Sequence, residues 1–96
     1  MVHVLSKKRL REFWQQHPDA EFPLLRWHTL MHKGNYRDFS ALRADFPAAD
    51  RVGGLIVFNV GGNKYRLVAD VRFERALVFV KAVLTHREYD KGAWKK

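Results

Sequence analysis

The chain has 96 residues, 18 of them basic and 10 acidic, giving a formal net charge of +8 and an isoelectric point near 10.2. That length predicts a single domain burying roughly 60–65% of its unfolded surface, and 47% apolar with 29% charged residues is a globular composition. The absence of cysteine excludes disulfides, thiol nucleophiles and cysteine zinc sites.

Val2 to Leu5 is rich in β-branched residues and predicts a first strand. Ser6 is a candidate N-cap, and Leu10, Phe13, Trp14 and His17 then recur at helical spacing until Pro18 ends the run. Leu24, Trp27, His28 and Met31 repeat that spacing in a helix over Glu21 to Lys33, with Pro23 in its first turn and Gly34 just past its end. Ser40 is the candidate cap of a short helix bearing Phe39, Leu42 and Phe46, closed by Pro47, and Gly53-Gly54 marks a break.

The second half changes character. Leu55 to Val60 is a strand, Gly61 to Lys64 a turn with glycine and asparagine supplying positive φ, and Tyr65 to Phe73 a second strand. Glu74-Arg75 predicts a two-residue connection to a third strand, Ala76 to Leu84. In that register Phe58 faces Leu67, Asn59 faces Arg66, Val60 faces Tyr65, Ala69 faces Val80 and Leu67 faces Ala82. Alternation then gathers Phe58, Val60, Tyr65, Leu67, Ala69, Val71, Val78, Val80, Ala82 and Leu84 on the face that meets the helices. The other face collects Asn59, Lys64, Arg66, Val68, Asp70, Arg72, Lys81 and Val83. This assignment requires that no bulge interrupts the strands, since one inserted residue reverses everything beyond it. Thr85 with Glu88 forms a capping box for a last short helix, which Gly92 ends.

Charge follows the same division. Residues 1–33 carry a net +3, residues 34–54 none, and residues 55–96 a net +5. A strongly basic small domain suggests an anionic partner, most often nucleic acid or an acidic protein, although charge alone also serves solubility. The longest apolar run, residues 76–80, is far short of the ~20 residues of a membrane helix, and no apolar stretch follows the N-terminal charges. The expectation is a soluble, cytoplasmic chain.

The motifs exclude several chemistries. Gly61-Gly62-Asn63-Lys64 lacks phosphate-loop spacing and joins two strands. His28 and His32 stand four apart without a third ligand, so histidines of core or surface fit better than a zinc site. No Gly-x-Ser-x-Gly elbow is present. Two constellations remain. Lys64, Arg66 and Lys81 form a cation row that reads either as a phosphate-binding surface or as a solvated sheet face. His86, with Tyr89 and Asp90 on its helix face, reads either as a proton-transfer group or as the opening residue of a capped helix. The helix N-terminus disfavours a charged imidazole, and Tyr89 can equally pack onto Leu84 as a hydrophobic staple.

The segments Val57-Phe58-Asn59-Val60-Gly61-Gly62-Asn63-Lys64-Tyr65-Arg66-Leu67 and Val83-Leu84-Thr85-His86-Arg87-Glu88-Tyr89-Asp90-Lys91, behind a helical first half in a basic chain of this length, resemble the HigB toxins of type II toxin–antitoxin modules, within the RelE-like superfamily. The resemblance covers nearly the whole chain. It implies an α+β fold, with N-terminal helices on one face of an antiparallel sheet of three or four strands and RNA on the other. It implies an endoribonuclease that cuts mRNA, typically on the translating ribosome. A HigA-type antitoxin with a helix-turn-helix would hold it inactive, operator DNA being reached only through that antitoxin. Catalytic residues vary across the superfamily. The matching positions here are Lys64, Arg66, Lys81, His86 and Tyr89, and lysine at position 81 keeps a charge where relatives often have the planar fork of arginine. The reading is a metal-independent nuclease using no cofactor. His86 and Tyr89 would transfer protons, Lys64, Arg66 and Lys81 would bind the phosphate, and Asn59, Arg72, Lys91, Lys95 and Lys96 would hold flanking RNA. The alternatives are a non-catalytic basic RNA- or DNA-binding module, or a degenerate toxin that retains antitoxin binding.

Overall fold

The alternating apolar residues of the second half pair as their periodicity requires. In a computed structural model, which describes residues 1–92 and Trp94, β3 (Leu55–Val60) and β4 (Tyr65–Arg72) form an antiparallel hairpin. Phe58 faces Leu67, Asn59 faces Arg66 and Val60 faces Tyr65, the expected register. The turn between them places Gly61 and Gly62 at φ 66° and 68°, in the left-handed region that residues with a Cβ seldom occupy. Asn63 is not in that region. Its role is to bind a side chain.

β4 continues into β5 (Leu77–Thr85) through a 3-10 turn over Phe73–Arg75, with Ala76 left-handed at φ 53°. The expected two-residue connection is therefore longer. Ala69 faces Val80 as expected, but Val68 faces Ala82, so Lys81 is an extra residue without a cross-strand partner. This bulge shifts the remainder of β5 by one. Leu67 pairs with Val83 rather than Ala82, and Val83 packs against the core. Ala82 and Leu84 take the opposite face, reversing the sequence assignment of all three residues.

Two short strands complete the sheet, whose order is β1-β5-β4-β3-β2. β1 (His3–Leu5) lies parallel to β5, and β2 (Asp50–Val52) is antiparallel to β3 across Gly53-Gly54. The sheet thus has five strands and is mixed, where three or four antiparallel strands were expected. Beyond its ladder, β1 is fixed by the end of a helix. The Val2 N–H donates to the His32 carbonyl, and His32 Nδ1–H donates to the Val2 carbonyl, both at 3.0 Å. His32 is accordingly a structural histidine, and its ring stacks with that of His28 at 6.1 Å.

The helices are α1 (Lys7–Gln16), α2 (Glu21–Lys33) and α3 (Phe39–Asp45), with a 3-10 turn at Pro18–Ala20 between the first two. Their apolar stripes meet one face of the sheet. Leu10, Leu24, Trp27, Met31 and Leu42 form a single core with Phe58, Val60, Leu67, Ala69, Val78 and Val80. Ser6 is the N-cap of α1 as expected, and the cap of α3 differs. Ser6 occupies its position at φ 69° without a side-chain bond, and Asp38 rather than Ser40 caps α3, accepting from the Ala41 N–H at 2.9 Å. Asp38 precedes the first helical turn and so faces its free N–H groups, whereas Ser40 already lies inside the helix. No helix among the described residues is long and apolar enough to cross a membrane.

Candidate active site

The open end of the sheet is organised by one arginine. Strand alternation turns Arg66 away from the helices, opposite Asn59, yet Arg66 is only 9% exposed. Its guanidinium donates to Asn63 Oδ1 at 2.7 Å, to the Asn63 carbonyl at 3.3 Å and to the Tyr65 carbonyl at 3.2 Å. All three acceptors are neutral. Among the described residues no carboxylate pairs with it. A positive charge is therefore held in a fixed orientation by amide dipoles without being neutralised, which suits an anionic ligand.

The helix α4 (His86–Lys91) starts beside this arginine because Thr85 at the end of β5 faces Tyr65. The expected capping box is formed in both directions: the Thr85 N–H donates to Glu88 Oε1 at 2.9 Å, and the Glu88 N–H donates to Thr85 Oγ1 at 3.2 Å. Gly92 ends the helix at φ 74°. The His86 N–H donates to the Lys64 carbonyl at 3.1 Å, tying α4 to the β3–β4 turn. The imidazole Nδ1 lies 3.1 Å from Asp90 Oδ2, as the spacing of four residues predicts. A carboxylate on Nδ1 fixes the tautomer and leaves Nε2 as the nitrogen able to exchange a proton with a ligand. Arg66 lies over the Tyr89 ring, 5.5 Å from its centroid, and Trp94 stacks on that ring at 5.0 Å and 16°. The Trp94 indole N–H also donates to the Tyr89 carbonyl at 3.0 Å.

The other expected site residues are dispersed. Lys64 does not join the open face. Its ammonium pairs with Asp19 Oδ2 at 3.1 Å, while Asp19 Oδ1 accepts from the Tyr65 hydroxyl at 2.6 Å. Lys64 is a turn residue, free of strand alternation, and the carboxylate of the 3-10 turn draws it toward the helices. The Tyr65 hydrogen bond, followed by Lys64, holds the Asp19 carboxyl below its ordinary pKa, and Asp19 in turn raises that of Tyr65. Lys81 sits at the bulge, roughly 16 Å along the strand from His86 at 3.3 Å per residue. There it borders a hollow of 380 Å³ with Leu55, Val68, Ala82 and Trp94. Arg72 is at the far end of β4 in a two-bond pair with Asp70, both bonds 3.0 Å, and Asp70 raises its pKa. Asn59 and Lys91 are exposed, Asn59 beside Arg66 and Lys91 at the end of α4. Lys95 and Lys96 lie outside the described residues.

The structure thus gathers Arg66, Tyr89 and Asn59 with the helix that carries His86 and Asp90; it turns Lys64 to Asp19 and Arg72 to Asp70, and leaves Lys81 bordering the hollow it shares with Trp94, whose ring stacks on Tyr89. Two contributors escaped the sequence reading. Asn63 was legible only as a turn residue, and Trp94 lies beyond the helix-ending Gly92 with no periodicity to mark it. Among the described residues no three His, Asp or Glu side chains are grouped to hold a metal.

Fold and site define a small basic α+β domain with a fixed cation, an imidazole and a phenol at one end of its sheet. The model of the HigB_toxin family, described as the RelE-like toxic component of a toxin–antitoxin system, matches residues 20–92. The chain is 35% identical over 92 residues to the "mRNA interferase toxin HigB" of Escherichia coli (strain K12), covering 93% of this chain and 88% of that one. It is 32% identical over 96 residues to the "mRNA interferase HigB" of Escherichia coli O6:H1 (strain CFT073), covering 94% and 90%. The chain belongs to the HigB toxin family, as its motifs suggested.

Proposed function

We propose that this chain is an endoribonuclease toxin that cleaves mRNA on the translating ribosome without a metal ion and is neutralised by a HigA-type antitoxin. The supporting observation is Arg66, a buried guanidinium held by neutral acceptors over the ring of Tyr89, on the same short helix as an imidazole whose Nδ1 is bound by Asp90. In the reaction the RNA 2′-oxygen attacks the adjacent phosphorus while its proton passes to a base. The phosphorus–O5′ bond then breaks, and the departing 5′ oxygen takes up a proton, leaving a 2′,3′-cyclic phosphate and a 5′-hydroxyl. Arg66 stabilises the charge that builds on the non-bridging oxygens. His86 transfers a proton through Nε2, with the Tyr89 hydroxyl as its partner. Asn59, Lys81 and Lys91 hold RNA along the open face, and Lys64 contributes from the rim when released from Asp19.

The test is expression in growing cells with mapping of mRNA 5′ ends, together with metal analysis of the purified chain. New ends within coding regions carrying 5′-hydroxyls, with growth arrest relieved by the antitoxin, are expected. Growth arrest without new mRNA ends would refute the nuclease reading, and a stoichiometric divalent metal would refute its metal independence.

A further inference from the structure

The open face of the sheet carries an apolar layer that the helices do not explain. Val57 and Val68 face one another across β3 and β4 and are buried, at 3% and 1% exposure, yet neither belongs to the core beneath the helices. Strand alternation puts them on the face that Arg66 occupies. The hollow of 380 Å³ lies there, floored by Leu55, Val68 and Ala82 and bordered by Trp94 and Lys81. The bulge builds this border. An uninterrupted strand would send consecutive side chains to opposite faces, whereas residues 81 and 82 both meet the same hollow. Its volume is at the small end of the roughly 300–1,000 Å³ of ligand pockets.

The chemistry of the hollow is narrow. Its floor offers apolar contact, and Trp94 offers an aromatic ring whose N–H already donates to the Tyr89 carbonyl at 3.0 Å. Lys81 is the charged group at the rim. Its Nζ lies 6.0 Å from the centroid of the Phe79 ring, and among the described residues no carboxylate pairs with it. A flat ring that carries a phosphate matches both parts. The position agrees: Trp94 stacks on Tyr89 at 5.0 Å, and Arg66 lies 5.5 Å from the centroid of that same ring. RNA with a phosphate at Arg66 therefore carries a neighbouring nucleotide past the hollow. Unpaired bases are commonly held by stacking on aromatic side chains beside cations that follow the backbone.

We infer that the hollow holds one base of the mRNA flanking the scissile phosphate, stacked against Trp94 over the apolar floor, with Lys81 on the backbone of that nucleotide. A purine covers more of the ring and floor than a pyrimidine and binds better there. The inference rests on the nuclease reading and adds to it a base subsite distinct from Arg66, His86 and Tyr89.

The experiment measures single-turnover cleavage on programmed ribosomes of an mRNA with one cut site, in which each nucleotide flanking the cut is replaced in turn by an abasic one. Wild type should slow by about tenfold at one position, and a purine there should outpace a pyrimidine. Trp94→Leu should cleave the intact RNA at that reduced rate and be indifferent to the abasic replacement, while Trp94→Phe should restore the difference. Lys81→Ala should slow all these RNAs alike, as loss of a backbone contact does. Wild-type cleavage that is insensitive to the base at every flanking position would overturn the inference and leave the nuclease reading intact. Trp94→Leu that slows every RNA equally and keeps the abasic penalty would overturn it too, since the indole would then only support Tyr89. Wild-type chain that cleaves none of these RNAs would remove the nuclease reading, and this inference with it.

Discussion

Replacing Asn63 by aspartate changes one atom type and isolates the feature on which the proposed chemistry rests. Asn63 Oδ1 accepts from Arg66 at 2.7 Å, so aspartate would place a negative charge where a neutral acceptor now stands. Two unit charges about 4 Å apart interact by about 4 kcal/mol at an effective dielectric constant near 20. Asn63 is exposed, and screening lowers the useful part to about 1–2 kcal/mol. That amount would be lost from transition-state stabilisation, slowing cleavage by about 5–30-fold. Stability should move in the other direction, upward by a fraction of a kcal/mol, because an ion pair has been created. Asn63→Ala provides the contrast: it removes the acceptor without neutralising the charge, lowering both stability and rate modestly. The assay is single-turnover cleavage of a defined mRNA on programmed ribosomes, with thermal melting of each variant. Wild-type cleavage by a stable Asn63→Asp would refute the argument that the unneutralised charge of Arg66 is used.

His86→Gln should slow the chemical step by about 10²–10⁴-fold with unchanged melting temperature, because glutamine is tolerated at an exposed first helical turn; full single-turnover activity would move the chemistry to the cations. Tyr89→Phe keeps the ring that meets Arg66 and Trp94, so lost activity with intact melting would assign a role to the hydroxyl. Lys81→Ala should reduce the salt dependence of RNA binding by about one unit of slope, measured by titration across a salt series beside Lys7→Ala, which should not. The Tyr36 hydroxyl, desolvated and donating to Asp45 Oδ2 at 2.7 Å, has its pKa raised above 10.0. Its contribution to stability is complete below pH 10 and is lost as pH rises toward the folded value, so Tyr36→Phe should flatten the alkaline side of the melting profile.

The parts of the fold that the sequence revealed are those whose information is local. Leu10, Phe13 and Trp14, or Leu24, Trp27 and Met31, mark a helix by spacing alone, and the register of β3 on β4 follows once the glycine turn is counted. The capping box and the His86–Asp90 contact were legible for the same reason, since four residues of helix bring the two side chains together. What was not legible depends on distant partners or on a change of phase without a chemical signature. Ala82, Val83 and Leu84 are all apolar, so either of two adjacent registers buries something acceptable, and nothing marks Lys81 as the inserted residue. Lys64 was misplaced because its partner Asp19 is 45 positions away. Asp50-Arg51-Val52 is too short and too polar to advertise a strand. The pairing of β1 with β5 joins the two ends of the chain. Asn63 carries a turn propensity that concealed its bond to Arg66.

The bulge at Lys81 separates two kinds of mutational freedom. Substitution at that position alters only charge and reach, because the side chain is exposed and its residue has no cross-strand partner. Deletion is a different event. With one residue fewer, β5 would zip against β4 as an uninterrupted ladder, Val80 still opposite Ala69 and Ala82 still opposite Val68, so Leu84 keeps its face and Thr85 keeps Tyr65. The capped turn that follows would arrive at the same partners, and what the chain would lose is the exposed cation and the added local twist of the inserted residue. The extra residue is therefore a separable insertion: the strand can shed it without moving the start of the last helix, and no compensating change in the 61–64 turn is needed.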